Sequence, residues 1–467
     1  MTFSTLSRRN FLRTSAHGFG LLALGALSQD RLFAGEVAVD PLAAKKPHFP
    51  AKAKRVIFLF MGGGVSHVDT FDPKPKLAEY DGKEIPISLD GHLRQGGSKV
   101  FASPWTFNKY GKCGMDISTL FPEVAGIADD LCFIRSMACD NIDHNSATFQ
   151  MTTGEQTFSR PSIGSWTLYG LGSENRDLPG FISIAPTLPQ PGARCWGSSF
   201  LPATFQGARV SDMKNPIANL NSPLSRDAQR IQLDLIAALG KQHQQAREAD
   251  SRLDANLSSY ELAFRMQAEA PAAFDLSQED KATLALYGID RKESAEFGKQ
   301  CLLARRLVER GVRFIHVDCG SDAKSVGHWD QHGKIKEGHA KNALRTDKPV
   351  AGLIKDLKQR GLLDDTLVVW ATEFGRTPTR QGSDGREHHP HAFSMWMAGG
   401  GVKRGYIHGA TDEWGWNITE NRVHIHDLHA TMLHLLGLDH ERLTYRYAGR
   451  DYRLTDVHGH VVKAILA

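Results

Sequence analysis

The chain has 467 residues, of which 41% are hydrophobic and 23% charged, with 44 Gly and 20 Pro. That is an ordinary globular profile, long enough for one large domain or two intimate ones rather than a string of modules. The net charge is +4, with Lys and Arg dispersed, so nothing argues for nucleic acid as a partner. The six cysteines form no CxxC pair, which weakens a zinc-ribbon reading.

Residues 1–35 read as a twin-arginine leader. Ser7-Arg8-Arg9-Asn10-Phe11-Leu12-Arg13 is followed by the weakly apolar stretch Phe19 to Leu27, and Ala34 offers a small residue for cleavage. That route carries folded proteins, which suits a chain that takes up a metal before export. The expected location is the periplasm or beyond, where disulfides are permitted, with pairing left open. No other segment reaches 18 apolar residues, so no transmembrane anchor is expected in the mature protein.

Residues 36–54 read as a Pro/Lys/Ala-rich linker, and 55–467 as one large domain. Arg55 to Met61 is a continuous apolar run, the mark of a buried parallel strand. Similar runs recur at Leu131–Ile134, Phe181–Ile184, Val312–Val317, Thr366–Trp370 and Phe393–Met397. Their alternation with helical stretches predicts a mostly parallel α/β sheet with helices on both faces. The runs at Val56, Val312 and Val368 belong near its centre. A helical insertion spans about 223–310 and is expected to cover one sheet edge. Ile231, Leu235 and Leu239 share a helical face there, as do Leu257, Tyr260 and Phe264. Ser277 with Asp280 resembles a capping box, and Gly288 ends that helix.

In such sheets function gathers where strands end at their carboxyl edge. After the first run, Gly62, Gly63 and Gly64 let the backbone approach something closely, and His67 with Asp69 face one ion if the segment is extended. The alternative is an Asp/Pro turn with a surface His. After the run around Phe133, Asp143 can cap a helix, and Ser146 is either catalytic or a helix-start residue. After Val317, His328, Asp330 and His332 fall within five residues on a Gly-flanked loop, the sharpest metal signal in the chain. Glu373 lies directly beyond an apolar strand and must be solvated, paired or metal-bound, with Arg376 as a ready partner. His388, His389 and His391 follow. Asp427 reads as the cap of a late apolar helix.

The motifs SHVDTFDPKP at Ser66–Pro75, RPSIGSW at Arg160–Trp166, GHWDQH at 327–332, ATEFGRTP at Ala371–Pro378, HHPHAFSMWMAGGGVKRG at His388–Gly405 and DLHATMLHLLGL at Asp427–Leu438 resemble those of the exported domain of unknown function family 1501. The order of motifs resembles, more distantly, the sulfatase and alkaline phosphatase superfamily. That resemblance implies an alkaline-phosphatase-like sheet. It also implies a divalent metal (zinc, manganese or calcium) and an anionic ester substrate, such as a sulfated polysaccharide. The sulfatase nucleophile lies ten residues before the Gly of a Thr-Gly pair, which here is His144. The superfamily's Ser-Asp-His-Gly reads Thr372-Glu373-Phe374-Gly375, so Glu stands for Asp and Phe for a metal His. Either the site is rewired around His67, Asp69, His144, His328, Asp330, His332, Glu373, His388 and His389, or hydrolysis has been lost. In the rewired case Arg160 and Arg376, with Asn145, hold the anionic group. The nucleophile is then His144, Ser146 or water at the metal, water being preferred because no Ser, Thr or Cys stands at the expected place. The rival readings are a non-catalytic binder of a polyanion or protein partner, and a mutase or transferase acting through a phosphorylated His144.

Overall fold

The computed structural model describes residues 40–89, 97–214, 216, 222–245, 251–320 and 328–467, the side chains of 241–245 and 251–255 excepted. The leader at 1–35 lies outside the described residues. The segment expected to be a linker is docked from Leu42 onward. Lys52 and Ala53 donate to Leu435 O (both 2.9 Å), and His48 and Phe49 donate to Gly437 O (2.9 and 3.2 Å).

Nine strands form the main sheet among the described residues. They are β1 (Arg55–Phe60), β2 (Leu131–Ala138), β3 (Phe181–Ile184), β4 (Ala208–Val210), β5 (Phe314–Asp318), β6 (Thr366–Ala371), β7 (Phe393–Ala398), β8 (Tyr406–His408) and β9 (Val423–His424). The order is β8-β2-β7-β6-β1-β5-β3-β4, with β9 also against β2. Every pairing is parallel except those of β7, which runs antiparallel to β2 and β6. The three strands expected near the centre, β1, β5 and β6, are adjacent there.

Side chains alternate across a strand, so an uninterrupted apolar run must bury both faces. Ile57, Leu59, Ile315, Val317, Val368 and Trp370 join one core. Their neighbours Val56, Phe58, Phe314, Leu367 and Val369 join another. The helices sort accordingly. With α1 (His144–Thr153), α2 (Ile163–Leu171), α3 (Arg226–Gln245), α4 (Ser251–Phe274), α5 (Ala295–Glu309), α6 (Ile335–Gln359) and α7 (Ile425–Leu435), the first core takes α5 and α6 and the second takes α1, α2 and α7.

The insertion departs from expectation. Helix α3 lies in a compact unit separate from the sheet. Helix α5 packs on the central strand β5, so it covers a face of the sheet rather than an edge. Its run Cys301-Leu302-Leu303 with Leu307 and Val308 is buried, which only a facial position allows. The Ser277/Asp280 box is two separate caps instead: Asp275 accepts from Ser277 N (2.9 Å) and Asp280 from Thr283 N (2.6 Å). All six cysteines are unpaired thiols. No described helix is long and apolar enough to cross a membrane.

Candidate metal centre

The carboxyl ends of β1, β2, β5 and β6 meet at one place. Beyond β1 the chain turns at Gly63, whose φ is +115°. A Cβ there would stand 2.5 Å from Asp330 N and 2.7 Å from Trp329 N. Glycine therefore lets this turn abut the loop that follows β5, and Trp329 N donates to Gly62 O at 3.2 Å. That contact sets Asp330 at the edge of the sheet. Beyond β2, Asp143 caps α1 by accepting from Ser146 N (3.1 Å), as expected, and His144 becomes the first residue of the helix. Beyond β6 comes Glu373. Because β7 is antiparallel, its beginning lies at the same edge, and His388 precedes it.

Four of the expected residues converge. Ligand-type atoms of His144, Asp330, His332 and His388 all lie within 4.8 Å of one another. Asp330 Oδ1 is 3.4 Å from His144 Nε2, 3.0 Å from His332 Nε2 and 3.4 Å from His388 Nε2. Each opposite ring nitrogen has an oxygen partner. His388 Nδ1 meets Ile142 O at 2.8 Å, a carbonyl that can only accept. His144 Nδ1 meets Glu373 Oε1 at 2.7 Å, and His332 Nδ1 meets Gln381 Oε1 at 2.6 Å. With the proton held at Nδ1, a neutral imidazole presents its Nε2 lone pair inward, the arrangement found behind metal-bound histidines. Three imidazoles and a carboxylate form a donor set of the zinc type.

The electrostatics are lopsided. Burial opposes ionisation of Asp330, but bonds from His144, His332 and His388, with the Arg376 charge, hold its carboxyl far below the usual range. Burial likewise opposes a charged His144, yet its bonds to Asp330 and Glu373 outweigh that and raise its pKa. His332 is raised by its bond to Asp330, while burial pushes His388 down to about 4. Phe374 is buried against the rings of His144 and His388, with centroids 4.8 and 4.5 Å away.

The other expected residues stand apart. His67 and Asp69 lie in a short helix, His67–Thr70, not an extended segment, so positions two apart point to different sides. Asp69 pairs with Arg386 (2.7 and 3.1 Å), both fully buried, and accepts from Ser66 Oγ (2.6 Å). His67 Nε2 meets Gly415 O and His389 Nε2 meets Trp416 O, each at 2.8 Å, and the two rings stack 6.0 Å apart. His388 and His389 are adjacent on one short strand and so face opposite ways. His328 is outside the group; its carbonyl takes Asn342 and Gln331. Arg376 is fully buried, bonding Gly63 O, Gly64 O and Asp330 Oδ1 (2.7 Å for the last), so it positions Asp330 rather than clamping an anion. Arg160 lies over the Tyr452 ring (4.4 Å) and beside Glu155 (3.7 Å). Asn145 is exposed and Ser146 half-buried on α1.

Sequence reasoning missed His339 on α6. Its Nδ1 meets Gln331 Oε1 (2.6 Å) and its Nε2 accepts from Ser66 N (3.2 Å), which ties the Asp330 loop to the turn after β1. It also missed Gln381. Neither has a local spacing that would reveal it.

Fold and site together define an α/β protein with a candidate metal centre at the carboxyl edge of its sheet. Residues 53–466 match the family described as Protein of unknown function (DUF1501), and the chain belongs to that family. No curated protein matches it significantly in sequence. Among solved structures it is similar to the PsFucS1 sulfatase from Pseudoalteromonas sp. (12% identity, 85% of this chain and 69% of that one, TM-score 0.36). It is also similar to alkaline phosphatase from the Antarctic bacterium TAB5 (10% identity, 76% and 93%, TM-score 0.31) and to the lipoteichoic acid synthase LtaP from Listeria monocytogenes (10% identity, 88% and 78%, TM-score 0.35).

Proposed function

We propose that this chain is an exported, metal-dependent hydrolase of sulfate or phosphate esters. The observation that carries the reading is the set of three imidazole Nε2 atoms gathered on Asp330, each ring held from behind by an oxygen. His144, Asp330, His332 and His388 would hold the ion, and Glu373 and Arg376 would orient His144 and Asp330. A divalent ion supplies Lewis acidity there, polarising an ester oxygen and easing ionisation of water. The residues themselves set access. The His332 side chain is 40% exposed whereas those of His144 and His388 are 6% and 13% exposed, so an anionic ester enters from the His332 side. Water is the nucleophile in this reading, because His144 stands where the resemblance places a nucleophilic Ser, Thr or Cys.

The test is metal analysis of purified full chain followed by turnover of aryl sulfates and aryl phosphates. Metal-dependent turnover that disappears in Asp330→Asn is expected. Full metal loading with no turnover of either ester class would remove the hydrolase reading. It would leave the second one, a binder of a polyanion or partner, which the burial of Arg376 favours, since that guanidinium is taken up by Gly63 O, Gly64 O and Asp330 and is not free to grip a transition state. Export is tested separately: Arg8→Lys with Arg9→Lys should leave precursor in the cytoplasm.

A further inference from the structure

The loop after β2 carries Asp140 as well as His144. Strand β9 lies parallel to β2, with His424 beside Ala138. Both chains run past the same sheet edge, so Asp140 and His424 come together, and His424 Nε2 stands 3.0 Å from Asp140 Oδ1. Helix α7 begins at once and places His426 in its first turn. A ring nitrogen of each histidine and a carboxylate oxygen of Asp140 lie within 4.8 Å of one another. With Asp427, His458 and His460 these residues line a cavity of about 400 Å³. His426 is only 7% exposed, and its Nδ1 is buried with no hydrogen-bond partner. A buried, orphaned ring nitrogen beside a carboxylate and a second imidazole lacks the partner that such groups ordinarily have.

We propose that Asp140, His424 and His426 form a second metal site, distinct from the first, that takes a divalent transition ion of the zinc class, with His458 closing the cavity. Two imidazoles and one carboxylate favour zinc-like ions over calcium or magnesium. Asp140 is already oriented, because its other oxygen is held by Gln150 on α1. His426 is held neutral, its pKa pushed down to about 4 by burial and then by its histidine neighbours. His424 Nδ1 accepts from His426 N at 3.3 Å as the helix cap, so the proton sits on Nε2, which is buried 3.0 Å from Asp140 Oδ1. An ion takes that proton's place. One proton leaves Nε2 and one is taken up at Nδ1, at the expense of the long cap bond. The bond from His424 N to Asp427 Oδ2 (2.8 Å) keeps the other half of the capping box. The site joins three segments: the loop after β2, the start of α7 and the C-terminal stretch, where the His458 ring stacks on His426 at 5.1 Å. Its role is therefore structural: it braces the loop from which His144 projects.

The experiment counts zinc retained after dialysis by full-length protein in which His332→Ala and His388→Ala have together disabled the first site. One equivalent should remain, and added zinc should raise the unfolding temperature. Introducing His426→Gln into that protein should abolish both effects. Asp140→Asn, at a side chain 43% exposed, serves as a second variant that is not expected to perturb folding, checked by circular dichroism. Retention of no zinc by the His332/His388 variant, or retention unchanged by His426→Gln and Asp140→Asn, overturns the proposal. Neither result bears on the first centre, which is counted in wild type against the His426→Gln single variant.

Discussion

His144 donates from Nδ1 to Glu373 Oε1 at 2.7 Å across 229 residues of sequence. The same carboxylate oxygen accepts from Gly63 N at 2.8 Å, so one buried group fixes both the imidazole and the turn after β1. Glu373→Gln keeps the shape but removes the charge that favours the Nδ1 proton. Metal affinity should fall by roughly 10- to 100-fold, as for other carboxylates behind a ligating histidine. Competition against a chromophoric chelator measures it. An unchanged affinity would mean that Glu373 has no part in the centre.

Gly63→Ala probes the abutment directly. The new methyl meets backbone atoms of Trp329 and Asp330, at a φ that L side chains rarely adopt. Nothing there can yield as a side-chain tip can, so the Asp330 loop must shift. The expected outcome is loss of metal at the first centre, with zinc at Asp140, His424 and His426 retained. Retention of both ions with ordinary stability would show that the close approach is dispensable.

Asp69 was a candidate ligand, and its place is now a buried ion pair with Arg386. Asp69→Ala leaves a fully buried guanidinium unpaired and should cost about 3–5 kcal/mol. Metal content should not change. Burial works against the Asp69 charge, but the Arg386 charge and bonds, with Ser66, hold its pKa below the ordinary 3.8. The pair's contribution is thus present above about pH 4 and is lost as pH falls through the depressed value. The stability gap between wild type and Asp69→Ala should therefore be constant near neutrality and close at lower pH. Chemical denaturation across pH 2.5 to 7, roughly the range over which carboxylates titrate, reads it.

His339 and His429 are buried neutral, each pushed down to about 3 by burial. Unfolded chains take up these protons near the ordinary 6.5 whereas the folded protein does not. Stability is therefore complete above 6.5 and drains as pH falls toward 3, with a slope of up to about 1.4 kcal/mol per pH unit for each histidine. His429→Gln should flatten the slope of stability against pH between 6 and 4, a window below the ordinary histidine pKa. An identical slope would place the acid sensitivity elsewhere.

The strands were legible because uninterrupted apolar runs have only one use in a sheet covered on both faces. The Asp143 cap, the glycine turn and the Asp330–His332 loop were legible for local reasons as well: each is a short pattern with one favoured geometry. Pairings across the chain were not. Arg386 lies 317 residues from Asp69, and no local signal says that a Gly-rich strand end followed by a carboxylate has its cation waiting there. His388 and His389 are indistinguishable as letters; only the strand they occupy, and its alternation, sends one toward Asp330 and the other toward Trp416. Asp140 escaped notice because its partners arrive on β9 and α7, and the spacing of His424 and His426 reads as the start of a helix and no more.

The reversal of β7 also fixes when the centre can come into being. In an all-parallel arrangement every ligand follows its strand; here His388 precedes one, on a short strand paired antiparallel with Arg376 just beyond β6, from which the chain enters β7 between β2 and β6. A nascent chain that has emerged as far as β6 therefore holds His144, Asp330 and His332 with no fourth donor. Contacts of such long separation close late in folding, after the chain entropy of many intervening residues has been given up. All four donors are in place only once these strands have paired. Four-fold ligation of an ion is thus tied to completion of the sheet and not to any single segment of the chain.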